Sequence, residues 1–199
     1  MKIGIIGSGR VGKAFAAHAS KAGYDIIISG KSDIDTLEKA VKEMGTGIKA
    51  GSVADAVATD VVFIAVPFEN VKDAVSGYDW NSKIVIDATN AVTMPDIKPI
   101  DTNGRNSSEV VSDYLKGAMV VKAFNTLPVQ RMAENPSLEG GSRVLFFSGN
   151  HQEANTKIGE IIKDFGFEGI YLGKLNEGGM LQQLIIGPLS LKNLISYPL

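Results

Sequence analysis

Gly7, Gly9 and Gly12 stand in the spacing G-x-G-x-x-G within the stretch GSGRVG, with Ser8, Arg10 and Val11 between them. Glycines so placed bring main-chain N–H groups against a diphosphate. The first permits a tight turn, the second lets the pyrophosphate approach the backbone, and the third lets a helix pack closely on a strand. An anion held there faces a helix N-terminus, where unpaired N–H groups and the helix dipole favour negative charge. The motif therefore predicts nucleotide binding rather than a chance glycine-rich turn.

A second constellation follows at Ser29, Gly30, Lys31 and Ser32. The end of the second strand of such a unit meets the adenosine ribose, and an acid there accepts hydrogen bonds from a free 2′-hydroxyl and repels a 2′-phosphate. SGKS offers hydroxyl donors, an open backbone and one cation instead. A charge-assisted bond to phosphate is worth about 1.5–3 kcal/mol, so Lys31 alone would bias the site toward NADP over NAD by roughly 10- to 150-fold. Two alternatives stand beside this reading: Lys31 as a solvated loop residue, with Ser32 or Asp33 capping the next helix, and Asp33 as a displaced ribose acid.

Two further strand ends point at the same crevice. Ala65, Val66, Pro67 and Phe68 leave one apolar run, and Asp87, Ala88, Thr89 and Asn90 leave another. Small side chains and a proline make a wall for a flat ring, while Asn90 has the groups to bond a carboxamide or a ribose. The plainer reading of each is a turn or cap residue.

Other chemistries are poorly served. There is no cysteine, which excludes disulfides, thiolate metal sites and a thiol nucleophile together. His18 lies between Ala17 and Ala19 on the first helical pattern and is expected to be packed. His151 follows Gly149 and Asn150 at a helix start and is expected at the surface. No acid, histidine or serine set has metal-site or triad spacing. A dehydrogenase acting on an alcohol or an imine calls for a positioned proton donor or acceptor, whereas hydride transfer between two redox rings needs mainly proximity and orientation.

The elements that must position these residues follow from hydrophobic runs. Residues 2–6 read as a buried strand, 10–22 as a helix and 24–29 as a second strand, a βαβ unit. Further apolar runs at 61–66, 83–88, 118–124, 143–149 and 167–172 are continuous rather than alternating, as in strands covered on both faces. Helical patterns lie at 36–44, 53–58, 71–76, 107–115 and 153–165. The fold class is α/β, a doubly wound, mostly parallel sheet in a single domain over 1–199. Residues 90–106, with Pro95, Pro99 and Gly104, lack periodicity and form a candidate substrate-side loop. The apolar segment 181–195 is expected as a short C-terminal helix, with 175–199 packed on the domain or, secondarily, on a partner in a homodimer. No helical second domain is expected after the last strand.

Composition narrows the partners. At 199 residues and 44% hydrophobic content the chain can bury one ordinary core. A formal net charge of −2 argues against general nucleic-acid or anionic-membrane binding and favours small-molecule partners. Gly4, Gly7, Gly9 and Arg10 interrupt the N-terminal apolar stretch before a signal-peptide core forms, and no run approaches the roughly 20 apolar residues of a membrane span. A cytoplasmic location is the expectation.

The stretches GSGRVGKAFA, AVPFENV, VIDATN and above all VVKAFNTLP at 120–128 resemble the coenzyme F420-dependent NADP reductase family and its bacterial dinucleotide-binding relatives. The resemblance extends into GGMLQQLIIGPLSLKNLI at 178–195. It implies a single Rossmann domain carrying NADP, with hydride passing between nicotinamide and a deazaflavin stacked beside it. It also implies phosphate contacts from Ser8, Arg10, Gly30, Lys31 and Ser32, and nicotinamide-side contacts from Ala65, Pro67, Asn90, Ala123 and Asn125. Lys31 stands where relatives more often carry arginine, which weakens bidentate grip without reversing the preference. The acceptor is F420 by resemblance; a flavin or quinone-like acceptor, and a non-catalytic NADP(H) sensor, are the alternatives.

Overall fold

The computed structural model describes residues 1–198. Strands β1 (Lys2–Ile6), β2 (Asp25–Ser29), β3 (Ile48–Ala50), β4 (Val61–Ile64), β5 (Ile84–Asp87) and β6 (Met119–Ala123) pair in parallel in the order β3-β2-β1-β4-β5-β6. After the short β7 (Ser137–Leu138), β8 (Gly141–Gly149) extends the sheet antiparallel to β6, and β9 (Glu168–Tyr171) runs parallel to β8. A final two-residue strand, β10 (Ile195–Ser196), pairs with the start of β8. The chain moves outward from β1 in one direction and returns at β4 on its other side. The switch point between β1 and β4 is where an open α/β sheet leaves a crevice at its carboxyl edge.

Helices cover both faces: α1 (Arg10–Lys21), α2 (Ile34–Lys42), α3 (Val53–Val57), α4 (Val71–Val75), α5 (Ser107–Tyr114), α6 (Val129–Ala133), α7 (Gln152–Asp164) and α8 (Leu175–Gln182). Alternate strand side chains enter opposite layers, as the pleat requires. Ile3, Ile5, Val61 and Phe63 join Phe15, Phe124 and Phe165 in one core, while Val62, Ile64, Val85 and Val120 join Val57, Val71 and Val111 in the other. Phe15 stacks on Phe63 with centroids 3.9 Å apart and meets the edges of Phe124 and Phe165 at 5.0 and 5.1 Å. Burial on both faces explains why the strands read as unbroken apolar runs.

His18, on the buried face of α1, packs against α6, its Nε2 2.6 Å from the carbonyl of Met132. Burial pushes its pKa below the usual imidazole range, against the opposing effect of that hydrogen bond. His151 is exposed at the start of α7 and makes no capping bond with its side chain.

The main departures from expectation lie at the ends of elements. β3, β7 and β10 are too short to register as hydrophobic runs. Helix α2 begins at Ile34 rather than 36, because Asp33 accepts from the Thr36 N–H at 2.8 Å and fixes the first turn. The C-terminal helix lies upstream of the expected segment: α8 ends at Gln182, Gln183 is extended, and the chain then runs irregularly to β10. Tight turns at Gly187 and Pro188 divide the run, and Ile185, Ile186, Leu191 and Leu194 project into solvent instead of packing on the domain. The segment is tied down by its backbone, with Leu191 N–H donating to Thr126 at 2.9 Å and Val144 N–H to Leu194 at 2.9 Å.

Candidate dinucleotide crevice

The three motif glycines have different reasons to be glycine. Gly7 has φ +121°, and a Cβ there would lie 2.4 Å from the Ala65 carbonyl oxygen. A Cβ on Gly12 would lie 1.9 Å from the Gly7 carbonyl oxygen, so the close approach of α1 to the β1 turn fixes that position. Gly9 is constrained by neither: its φ is −74°, and a Cβ would meet nothing within 4 Å. It caps α1 without any side-chain bond, and the first turn of α1 carries no acid. The opening at Gly9 is thus a cradle that protein atoms leave free and that a side chain would fill, at the place where a diphosphate meets helix N–H groups.

From Gly9 the crevice extends both ways. One half, about 630 Å³, is lined by Gly7, Ser8 and Ser29 to Ser32, with Asn70 and Asp73 opposite. Lys31 and Ser32 are exposed there, and Gly30 sits against Ser8, whose Oγ would lie 2.1 Å from a Cβ at position 30. Ser29 departs from the expectation of a ligand-facing hydroxyl: it is buried and donates to the Ile5 carbonyl at 2.9 Å, tying β2 to β1. Asp33 is engaged too, its two oxygens accepting from the Thr36 N–H and hydroxyl at 2.8 Å each. These bonds hold its carboxyl below the usual carboxylate range. Its role is the helix cap, not the ribose acid.

The other half, about 370 Å³, shares Gly9, Ala65, Val66 and Pro67 with the first and adds Arg10, Val11, Thr89, Asn90 and Leu184. Val92 and Met94 bring the 90–106 loop into its wall. Arg10 is the one ionisable side chain among its lining residues. Two residues expected here by resemblance stand back from it. Ala123 points into the core beneath α1 and is fully buried. Asn125 lies behind Asn90, donating to its Oδ1 at 3.1 Å and to the Gln182 carbonyl at 3.0 Å, and orients it rather than lining the space. Between them Phe124 takes φ +61°, a conformation seldom used by a bulky residue; it turns the chain sharply after β6 with the ring held in the aromatic core.

Behind this wall lies a polar layer that motif reading did not assign. Lys122 is fully buried, its Nζ donating to the Ser107 hydroxyl at 2.6 Å, the Thr89 carbonyl at 3.0 Å and the Ser108 hydroxyl at 3.3 Å. Ser108 passes the connection to Asp87, also fully buried, whose other oxygen accepts from the Thr89 N–H at 2.9 Å. Desolvation lowers the Lys122 pKa from 10.5 to about 8, with the Asp87 charge opposing the shift. A lysine inside an unbroken strand run such as VVKAF was the available signal, since a central parallel strand has no solvent face. Among the described residues no group of three or more His, Asp or Glu side chains is placed to hold a metal ion, and no helix is long and apolar enough to cross a membrane.

A parallel sheet in this order, with a glycine turn at its switch point and a crevice in two halves around it, is a Rossmann-type dinucleotide-binding domain. The family described as NADP oxidoreductase, coenzyme F420-dependent, matches residues 2–91. A hypothetical protein, SMa0349, from Sinorhizobium meliloti is 41% identical, with 98% of this chain and 96% of that one covered at a TM-score of 0.91. The chain belongs to this NADP oxidoreductase family. A putative F420-dependent NADP-reductase from Arthrobacter sp. FB24 shares the fold at 23% identity and a TM-score of 0.74, covering 88% of this chain and 86% of that one. Metalloreductase STEAP3 of Rattus norvegicus is 23% identical over 175 residues, which are 87% of this chain and 34% of that protein. The chain thus spans about a third of the length of that curated relative.

Proposed function

We propose that this protein is an NADP(H)-dependent reductase that passes hydride directly between the nicotinamide and a second redox ring, a deazaflavin of the F420 type or a flavin. The observation that carries the reading is the make-up of the second half of the crevice. Its walls are mostly apolar, from Ala65, Val66, Pro67, Phe68 and Val92, and its one ionisable lining group is an arginine. Such a slot has apolar surface on which two rings can stack, and it presents no acid–base pair of the kind an alcohol or imine substrate needs. NADPH, when bound, supplies the hydride.

The chain's own residues divide the remaining work. Gly9 and the first-turn N–H groups of α1 receive the pyrophosphate. Lys31, Ser32 and the Gly30 backbone face the 2′-phosphate, with Ser8 against Gly30; Asp33, next in sequence, is withdrawn into its cap, and Asp73 is the carboxylate that lines this half. Ala65 to Pro67 form the floor common to both halves. A reductive aminase from Aspergillus terreus in complex with NADPH and ethyl levulinate shares the fold at 16% identity and a TM-score of 0.64, covering 89% of this chain and 56% of that one.

Fluorescence titration with NADPH and NADH tests the cofactor half of the reading. NADPH should bind at least about 10-fold tighter, the lower end of what one charge-assisted phosphate contact supplies. Lys31→Ala should remove most of that difference. Equal affinities in the unaltered protein would remove the 2′-phosphate role of Lys31.

A further inference from the structure

We infer that the hydroxyl of Thr89 is a binding group for the nicotinamide carboxamide, working as a pair with Asn90; this rests on the NADP(H) reading above. Thr89 lines the second half of the crevice and is 4% exposed. Its backbone is fully occupied: the N–H donates to Asp87 at 2.9 Å, and the carbonyl accepts from Lys122 at 3.0 Å and Ser107 at 3.3 Å. Its Oγ1, buried, has no hydrogen-bond partner in the protein. Native structures seldom leave such a group unsatisfied, because its desolvation goes uncompensated.

Asn90 supplies the complement. Its Oδ1 accepts from Asn125 Nδ2 and from the Leu184 N–H, both at 3.1 Å, which uses both lone pairs. Its Nδ2 donates once, to the Asn125 carbonyl at 3.0 Å, which leaves one N–H. Two adjacent residues therefore offer one pure donor, from Asn90, and one hydroxyl able to accept, from Thr89. A primary carboxamide presents the matching pair, a carbonyl oxygen beside an NH₂ group. In this arrangement Asn90 donates to the amide oxygen and Thr89 accepts from the amide nitrogen. Lys122 and Asp87 touch no ligand; they are positioning residues that clamp the Thr89 backbone from both sides.

The test compares three ligands on Thr89→Val, which keeps the side-chain shape and removes the hydroxyl. The ligands are NADPH, its 3-acetylpyridine analogue, in which a methyl replaces the amide nitrogen, and 2′,5′-ADP, which lacks the nicotinamide half. Affinity for NADPH should fall roughly 3- to 10-fold, the span of one net hydrogen bond. The analogue and 2′,5′-ADP should bind as they do to the unaltered protein. Thr89→Ser, which keeps the hydroxyl, should retain the preference for NADPH over the analogue. An unchanged NADPH affinity in Thr89→Val, an equal loss for NADPH and the analogue, or loss of that preference in Thr89→Ser would each overturn the assignment. Failure of the unaltered protein to bind either NADPH or 2′,5′-ADP would instead overturn the NADP(H) reading, and this inference with it.

Discussion

Gly9→Val should abolish measurable binding of NADPH and NADH while leaving the fold intact. The residue sits at φ −74° and ψ −172°, a region valine adopts readily, and a Cβ there meets no protein atom within 4 Å. The branched side chain would occupy the floor shared by both halves of the crevice, where the diphosphate must lie against the helix N-terminus. A loss of about 100-fold or more, equivalent to about 2.8 kcal/mol, is expected by titration, with the melting temperature of the ligand-free protein essentially unchanged. Gly12→Ala makes the contrast. Its Cβ would lie 1.9 Å from the Gly7 carbonyl oxygen, so that variant should lose stability as well as binding. Undiminished NADPH affinity in Gly9→Val would mean that the glycine turn is not the phosphate site.

Lys122→Met carries the second large effect, this time on stability. The variant leaves Asp87 buried with two hydrogen bonds and no cation, and strands the Ser107 and Thr89 groups that Lys122 now satisfies. Removing one member of a buried charged set costs about 3 kcal/mol or more, which for a domain of this size lowers the melting temperature by roughly 6–12 °C. The pH dependence has a definite sign. Because burial holds the Lys122 pKa at about 8, below its ordinary 10.5, the unfolded chain binds the proton more readily across that window. Stability in the unaltered protein should therefore rise from pH 8 toward 10. Above pH 10 Tyr24 opposes the trend, since burial and the Asp164 carboxylate push its phenol above the usual range. Urea unfolding at intervals across pH 7–10 measures both effects. A Lys122→Met protein that matches the parent in midpoint and in pH slope would refute the structural role given to the buried pair.

Much of this architecture is legible in the residues themselves. Strands buried on both faces, such as β4 and β5, appear as continuous apolar runs, and glycines at fixed spacing mark the turn that crosses to α1. The parts that escaped depend on three-dimensional neighbours. Nothing local distinguishes Ser29, which turns inward to the Ile5 carbonyl, from Ser32, which faces the crevice. Asn125 shares a motif with Ala123, yet whether either touches the ligand space depends on the turn at Phe124, a conformation that its residue type disfavours. The C-terminal run reads as a packed helix by composition, but Gly187 and Pro188 divide it and much of its apolar surface stays exposed. Thr89 is unremarkable beside Asp87 in sequence. It acquires meaning only once its backbone is seen to be occupied and its hydroxyl is seen to have no partner.

In the proposed reaction hydride passes directly from nicotinamide to a second ring without a protein acid or base. This passage is tested most directly by following deuterium from NADPH dideuterated at C4 into F420, with FMN and FAD offered in parallel. Deuterium should appear in recovered reduced F420, the rate should saturate with the true acceptor, and neither His18→Ala nor His151→Ala should remove most of it. A protein that binds NADPH tightly but reduces none of the three acceptors, or an absolute requirement for either histidine, would contradict this mechanism.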